Sequence, residues 1–287
     1  MIWKEPQIRV AHGRSSDVLT KFQSEWNKRS TKYKLSRFDS KKYEYIVDEI
    51  ESKGYYIIPN FFEDVDSLSE KIQKRFSTGN GTKNSEKESV VREINNHQKI
   101  VDPLYTAPEI AEYVFNDELI QIAASYMKVL PAIGTLNLRK SFANNVPVEG
   151  VQYYHIDPNS PRFLKFFTYL NDVDSMDDGP FTYIKGSNRK LHNRLYDYHR
   201  VPDTLAEEMY GKENVTYLTA KKGDLIIADT TGLHKGSKCK NKDRTMLTIN
   251  YVLHPEEFRS PTFKIKKETY DSLPDYKKPL CDFLIKS

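Results

Sequence analysis

The sequence predicts a mostly β protein with supporting helices, built around a jelly roll. Seven short β-prone segments follow Pro131, at 133–142, 151–156, 163–170, 181–184, 215–218, 225–228 and 246–253, each set off by turn residues. Many short strands in succession need a closed or sandwiched antiparallel sheet, and the jelly roll is a common enzyme scaffold of that kind. Helical periodicity is concentrated before Pro131, where it predicts helices that buttress the sheet.

The elements follow in order. Residues 1–40 are polar and broken by His12-Gly13-Arg14-Ser15-Ser16, and are expected to wrap around a single domain spanning 41–287 rather than fold alone. Tyr43, Ile46, Val47 and Ile50 repeat at helical spacing and lead to Gly54, a stop signal. Tyr55-Tyr56-Ile57-Ile58 is a strand closed by Pro59, and 64–76 is a second helix. Residues 77–89 contain no apolar residue, so they form a lid or a disordered loop. Ile110, Val114, Leu119, Ile120, Ala123 and Ala124 mark a helical region at 109–127, with Asn116-Asp117 as its break and cap. The polar stretch 188–213 interrupts the strands, is part helical at 204–210, and has the position of a lid.

Composition excludes several classes. The 287 residues carry 44 basic and 40 acidic side chains for a net charge of +4, and the lysines are dispersed, so no nucleic-acid or membrane partner is expected. No window approaches the roughly 18–20 apolar residues of a membrane span. The start, Met-Ile-Trp-Lys-Glu-Pro, lacks a signal-peptide layout, which predicts a cytoplasmic location. Cys239 and Cys281 are too few for a disulfide scaffold.

Chemistry concentrates in the β region. His155-Ile156-Asp157 ends a strand whose alternation points the imidazole and the carboxylate to one face. The strand at 225–229 runs through Thr230-Thr231-Gly232-Leu233 into His234, and ten residues later Arg244 opens the last strand. Two imidazoles and a carboxylate form the facial triad of non-haem Fe(II) oxygenases, which leaves three metal positions open. An arginine on the next strand offers a planar fork for a carboxylate.

These blocks resemble the phytanoyl-CoA dioxygenase family of Fe(II)/2-oxoglutarate oxygenases. The resemblance rests on His155-x-Asp157, on Asp178-Gly179-Pro180-Phe181-Thr182-Tyr183-Ile184-x-Gly186-Ser187-Asn188, and on Gly223-Asp224 through Asp229-Thr230-x-Gly232-Leu233-His234-x-Gly236 to Arg244. Gly54 to Ile58 and Asp102-Pro103 through Pro131 extend it, over about residues 50–255. It implies a double-stranded β-helix (jelly roll, cupin-like) core. It also implies Fe(II) held by His155, Asp157 and His234, and 2-oxoglutarate held at its distal carboxylate by Arg244. With dioxygen as the other reactant, such an enzyme oxidises an unactivated C–H bond, typically by hydroxylation, and releases succinate and carbon dioxide. Members commonly have Gly-Ser-His where this chain has Gly186-Ser187-Asn188, and Gly-Ser directly after the distal histidine, where Lys235 intervenes. Asp157 argues against halogenation, since halogenating relatives replace that carboxylate.

Further candidates come from alternation around these blocks. Thr248, Asn137, Gln152 and Lys165 are expected to contact the cosubstrate, and Tyr154, Arg139 and His192 the substrate. Lys165 interrupts an apolar strand and needs a partner, either water at an edge or a carboxylate. Arg194, Tyr196, Tyr198 and Arg200 make the 188–213 insertion either a substrate lid or a solvated face. His254-Pro255-Glu256 is a rival metal triplet, placed past the last strand. The function expected is oxidation of a small molecule; the alternatives are a protein or peptide hydroxylase with the same metal site, and a silent jelly-roll binding module.

Overall fold

The computed structural model describes residues 16–32, 41–78, 90–94, 96–157, 162–189, 199–253 and 263–287. Helices lead into the sheets: α1 (Ser16–Lys32), α2 (Glu44–Lys53), β1 (Tyr55–Ile58), α3 (Val65–Thr78), β2 (Val91–Ile94), β3 (His97–Ile100), α4 (Pro103–Thr106), α5 (Ala111–Val114) and α6 (Asp117–Met127). The jelly-roll half contains β4 (Ala132–Ser141), β5 (Leu164–Tyr169), β6 (Phe181–Ile184), α7 (Asp203–Tyr210), β7 (Val215–Leu218), β8 (Leu225–Ala228), β9 (His234–Gly236) and β10 (Arg244–Val252). A tail of β11 (Lys264–Ile265), α8 (Lys267–Ser272) and β12 (Ile285–Lys286) follows.

Two antiparallel sheets face each other. The large one has the order β1-β8-β5-β10-β4-β3-β2 and the small one β7-β6-β9. Alternation divides the large sheet by face. Leu164, Phe166, Leu225, Ile227, Leu247, Ile249 and Tyr251 join the core beneath the helices, where Ile46, Ile50, Ile72 and Phe76 pack from α2 and α3. Their neighbours Phe167, Tyr169, Ile226 and Ala228 turn the other way and meet Phe181 and Tyr183 of the small sheet. A third cluster, of Tyr154, Ile184, Val201, Ala206 and Leu233, lies between the small sheet and α7. Each side chain buried this way contributes roughly 2 kcal/mol, so the layers are held by area rather than by polar contacts.

Local signals explain the boundaries. Gly54 ends α2 at φ 94°, where its N–H donates to Ile50 O, and a Cβ there would lie 2.3 Å from the Tyr183 ring. Asn116 caps α6, its side chain accepting from the N–H groups of Glu118 and Leu119. The segment expected as a strand at 151–156 is different: Glu149 and Gln152 close a reciprocal capping box over a turn at Gly150–Gln152, and only Tyr154 and His155 make bridge pairs. The β2–β3 hairpin was not anticipated, because its polar residues (Arg92, Glu93, Gln98 and Lys99) hide the alternation that Val91 and Ile100 carry. The loop expected at 77–89 and the triplet His254-Pro255-Glu256 fall almost wholly outside the described residues.

Nor does α1 read as polar and broken. It buries Phe22 and sets Arg29, fully enclosed, against the start of the jelly-roll half and the tail. Arg29 donates to the carbonyls of Leu130 (2.8 Å), Pro131 (2.8 Å) and Pro279 (3.0 Å), and to Asp282 (2.8 Å). Those carbonyls precede or border prolines, which have no N–H to build a ladder, so the guanidinium supplies the donors that the backbone lacks. Arg29→Met removes a buried charge partner and orphans these acceptors; urea unfolding is expected to show a loss of about 3 kcal/mol, with 2-oxoglutarate affinity unchanged.

Candidate metal centre and active site

The site lies where the two sheets approach. His155 and His234 sit directly opposite each other, His155 N–H donating to His234 O (2.9 Å) and His234 N–H to His155 O (3.0 Å). Residues paired this way project to the same side, and the two rings lie 4.3 Å apart between centroids. Asp157 follows two residues later on the same side, its N–H donating to Thr230 O (2.9 Å). The ligand atoms of His155, Asp157 and His234 all lie within 4.8 Å of one another.

The turn that delivers His234 is built by Asp229. Its carboxylate accepts from Thr231 N–H (3.0 Å), Thr231 Oγ1 (2.6 Å) and Tyr126 Oη of α6 (2.8 Å), while its carbonyl accepts from Tyr183 Oη (2.6 Å). Gly232 passes so close to that tyrosine that a Cβ would stand 2.0 Å from its hydroxyl. Any side chain there would displace the turn and with it the imidazole.

The donors suit a divalent metal. Each imidazole has its Nδ1 against a carbonyl two residues upstream, His155 on Tyr153 O and His234 on Gly232 O, both at 2.9 Å. Nδ1 therefore carries a hydrogen in each ring, and Nε2 is the atom turned toward the cluster and available to a metal. Burial, reinforced by His234, brings the pKa of His155 down to about 3, so the ring is neutral at physiological pH. Burial alone would raise that of Asp157, but the Lys165 ammonium and then His234 hold it well below the usual carboxylate range. Two imidazoles and an ionised carboxylate are the ligand set of the facial triad.

The other expected residues divide. Lys165 finds a carboxylate, and it belongs to Asp157: Nζ to Oδ2 is 2.6 Å, with His234 Nε2 at 3.1 Å from the same oxygen. Arg244 is buried, donating to Gly179 O and to Ser141 Oγ (3.3 Å), and its Nε has no hydrogen-bond partner among the described residues. Its Nη2 lies 3.7 Å from the Cβ position of Gly236, two residues past His234. Register places Thr248 beside Asn137 and Arg139 beside Met246 on the same inner face as Arg244. Gln152 is committed elsewhere, since its Oε1 accepts from Glu149 N–H (3.0 Å) within the capping box. Tyr154 is corrected too: the alternation that sends His155 inward sends Tyr154 outward, under Lys235 Nζ (4.6 Å from the ring centroid) and into the cluster beneath α7. His192 lies outside the described residues.

Three polar groups were missed. Asn250 is fully buried on the inner face with neither amide atom hydrogen-bonded to any described residue, and it stands opposite Lys165 and Thr135. Period-two counting from Arg244 through Thr248 reaches it. Ser141, opposite Arg244, is the hydroxyl nearest the guanidinium that the described contacts show; its small size gave no signal. Asn188, at the family's usual histidine, is buried and donates to Ile50 O (3.0 Å), tying β6 to α2.

The phytanoyl-CoA dioxygenase family model (PhyH) matches residues 50–246, well over half of the chain. The chain belongs to the phytanoyl-CoA dioxygenase family. It is a non-haem Fe(II)/2-oxoglutarate-dependent dioxygenase, with iron, 2-oxoglutarate and dioxygen as its metal and co-reactants. By sequence it matches no curated protein. Among solved structures, the epimerase SnoN in complex with Fe3+, alpha ketoglutarate and nogalamycin RO aligns at TM-score 0.57 and 15% identity, over 75% of this chain and 84% of that one. EctD from S. alaskensis with bound Fe aligns at 0.54 and 16%, over 73% and 76%. HygX from Streptomyces hygroscopicus with nickel, 2-oxoglutarate and hygromycin B aligns at 0.51 and 16%, over 78% and 90%. At these identities the likeness establishes a shared fold, the jelly-roll core expected for this dioxygenase. No helix among the described residues is long and apolar enough to cross a membrane.

The depressed pKa of His155 has a consequence for the metal-free protein. The unfolded chain takes up this proton below pH 6.5 and the folded protein does not until about pH 3. The stability it contributes is present above pH 6.5 and declines as pH falls from 6.5 toward 3, by about 1.4 kcal/mol per unit for one proton. His97, brought down to about 4 chiefly by burial, acts with the same sign. Urea unfolding at pH 7.5, 6 and 5 is expected to show this slope, and His155→Gln to flatten it by one proton.

Proposed function

We propose that this dioxygenase oxidises an unactivated C–H bond of a small molecule, by hydroxylation in the simplest case, at a metal held by His155, Asp157 and His234. The observation that carries this reading is the convergence of their three donor atoms, with a buried arginine, its Nε unpartnered among the described residues, packed against Gly236 two residues past His234. The bound iron and 2-oxoglutarate together supply a strong oxidant when dioxygen is reduced, with succinate and carbon dioxide as products.

The chain's own groups arrange that chemistry. Tyr153 O and Gly232 O fix the tautomers and orientation of the two imidazoles. Lys165 keeps Asp157 ionised and directs one carboxylate oxygen. Arg244, pre-oriented by Gly179 O and Ser141, presents its remaining donor to the distal carboxylate of 2-oxoglutarate, with Thr248, Asn137 and Asn250 along its path. Phe167 and Phe181 stack at 4.4 Å between the sheets, and Phe181 lies 5.4 Å from the His234 ring, so the chamber wall beside the metal is apolar and excludes water. A small-molecule substrate is supported by the fold's occupants elsewhere, nogalamycin RO in SnoN and hygromycin B in HygX.

Anaerobic addition of Fe(II) followed by titration of 2-oxoglutarate tests the assignment through the visible charge-transfer band of the chelate. Wild type is expected to develop the band, Arg244→Ala to need at least 10-fold more 2-oxoglutarate, and Asp157→Ala to lose iron. An unshifted midpoint in Arg244→Ala would remove the arginine from the cosubstrate site, and iron retained at full affinity without Asp157 would overturn the ligand set.

A further inference from the structure

We propose that the inner face of the large sheet carries an oxyanion site centred on Arg139, which takes a carboxylate or phosphate group of the substrate. The proposal rests on the reading of the centre as an Fe(II)/2-oxoglutarate site and adds the chemical class of what is oxidised there.

The register across β2, β3 and β4 supplies the argument. Arg92 pairs with Lys99, and Lys99 with Arg139, so three cations stand in one row across the sheet on the face that leads to the metal chamber. In the adjacent row Ile94, His97, Ser141 and Arg244 succeed one another, which brings Arg244 diagonally beside Arg139. The intervening residues Val91, Ile100 and Leu138 face the opposite side, in the core. Like charges directly opposite each other on a sheet destabilise it. A half-buried guanidinium beside a second one, as Arg139 is beside Arg244, is tolerated when an anion is to share it.

Arg139 is the half-buried arginine of the row and has no partner among the described residues. A guanidinium has five N–H donors. Elsewhere in the chain Arg29, Arg75, Arg162 and Arg244 direct theirs to carbonyls, carboxylates or hydroxyls. The half-buried Arg139 side chain makes no hydrogen bond or ion pair with any described residue. Burial and the neighbouring Arg244 both weaken its hold on its proton, and no carboxylate opposes them. Asp243, the neighbour of Arg244 in sequence, pairs with Lys140 (3.3 Å). His97 is kept neutral by burial, with Arg139 and Lys99 adding to it, so it can accept or donate a hydrogen bond beside the anion without a further charge.

The cosubstrate does not account for this group. Arg244 holds the buried end of the face with Ser141, whereas Arg139 is one pair nearer the metal side and is continuous with Lys99 and Arg92, toward the β2 edge of the sheet. A planar guanidinium binds either a carboxylate or a phosphate through two parallel N–H···O bonds. The polar strip of Asn137 and Thr248 then lies between that anchored anion and the Lys165–Asp157 level of the metal.

The test follows thermal unfolding of the Fe(II)- and 2-oxoglutarate-saturated protein, kept anaerobic, during titration with inorganic phosphate or, separately, propionate at constant ionic strength. One of the two is expected to raise Tm saturably, and the more effective one identifies the group. Arg139→Gln is expected to weaken that response at least 10-fold, Arg139→Lys less, while the 2-oxoglutarate midpoint of the charge-transfer band moves by under 2-fold. Without added anion, Arg139→Gln is expected to unfold at or above the wild-type temperature, because it removes an uncompensated cation. Neither anion acting on wild type would overturn the proposal. So would an anion response that disappears once 2-oxoglutarate saturates, or a 2-oxoglutarate midpoint weakened by Arg139→Gln, either of which assigns Arg139 to the cosubstrate. Absence of the charge-transfer band in wild type is a separate signal: it defeats the underlying oxygenase site, and the anion response is then judged on the metal-free protein.

Discussion

Two backbone hydrogen bonds exchanged by His155 and His234 set the geometry on which the centre depends. They join a loop segment to the last strand of the small sheet and place two imidazoles side by side before any metal contributes. Such a pair needs no unusual rotamer, because opposite residues of an antiparallel ladder already share a face. Asp157 inherits its position from the same alternation. Much of the surrounding structure maintains this one pairing: Asp229 shapes the turn into His234, Tyr126 and Tyr183 hold Asp229, and α6 buries eight residues to hold Tyr126.

Around that pairing, the chamber is arranged as an excess of cations over acids. Asp157 is the one carboxylate of the ligand cluster, and Lys165 already neutralises it. Arg244, Arg139 and Lys99 face inward with neutral His97 among them. A buried cation or amide without a partner costs folding free energy, so Arg244 Nε, Arg139 and the orphaned Asn250 amide are strained against stability in the free protein. A dicarboxylate cosubstrate relieves part of that cost. Ligand recognition and instability are thus two aspects of the same groups, which is the usual trade at functional sites.

The strands were legible wherever apolar residues recur with a period of two between turn residues, as in β4, β5, β6, β8 and β10. The same period located His155, Asp157 and the inner face of β10. It failed for the β2–β3 hairpin, where Arg92, His97 and Lys99 share the chamber-facing positions with Ile94, so that the apolar residues Val91, Ile94 and Ile100 do not fall on one face. It failed also at 151–156, because a capping box between Glu149 and Gln152 overrides the β propensity of Val151 and Tyr153. Helix α1 was missed for a related reason: its stabilising contact is a charged residue, Arg29, which reads as surface in a sequence and is enclosed in the structure. Side-chain partners across the fold leave only a one-sided trace: a lysine in an apolar strand calls for a partner, but nothing local names Asp157 as the partner of Lys165.

Lys235 shows how a departure from the family pattern acquires a role. His234 points into the chamber, so the next residue points out, and there Lys235 meets Asp203 of α7 (2.5 Å) and the face of Tyr154. Tyr154 in turn exchanges backbone hydrogen bonds with Val201 at the base of the insertion. The insertion is therefore tied to both segments that carry the metal-facing side chains, at the residue just after one histidine and the residue just before the other. A glycine at 235 would leave β9 free of α7. With lysine there, α7 and Val201 are held to the residue after one metal-facing histidine and the residue before the other, so the order of these two segments and that of the base of the insertion depend on each other.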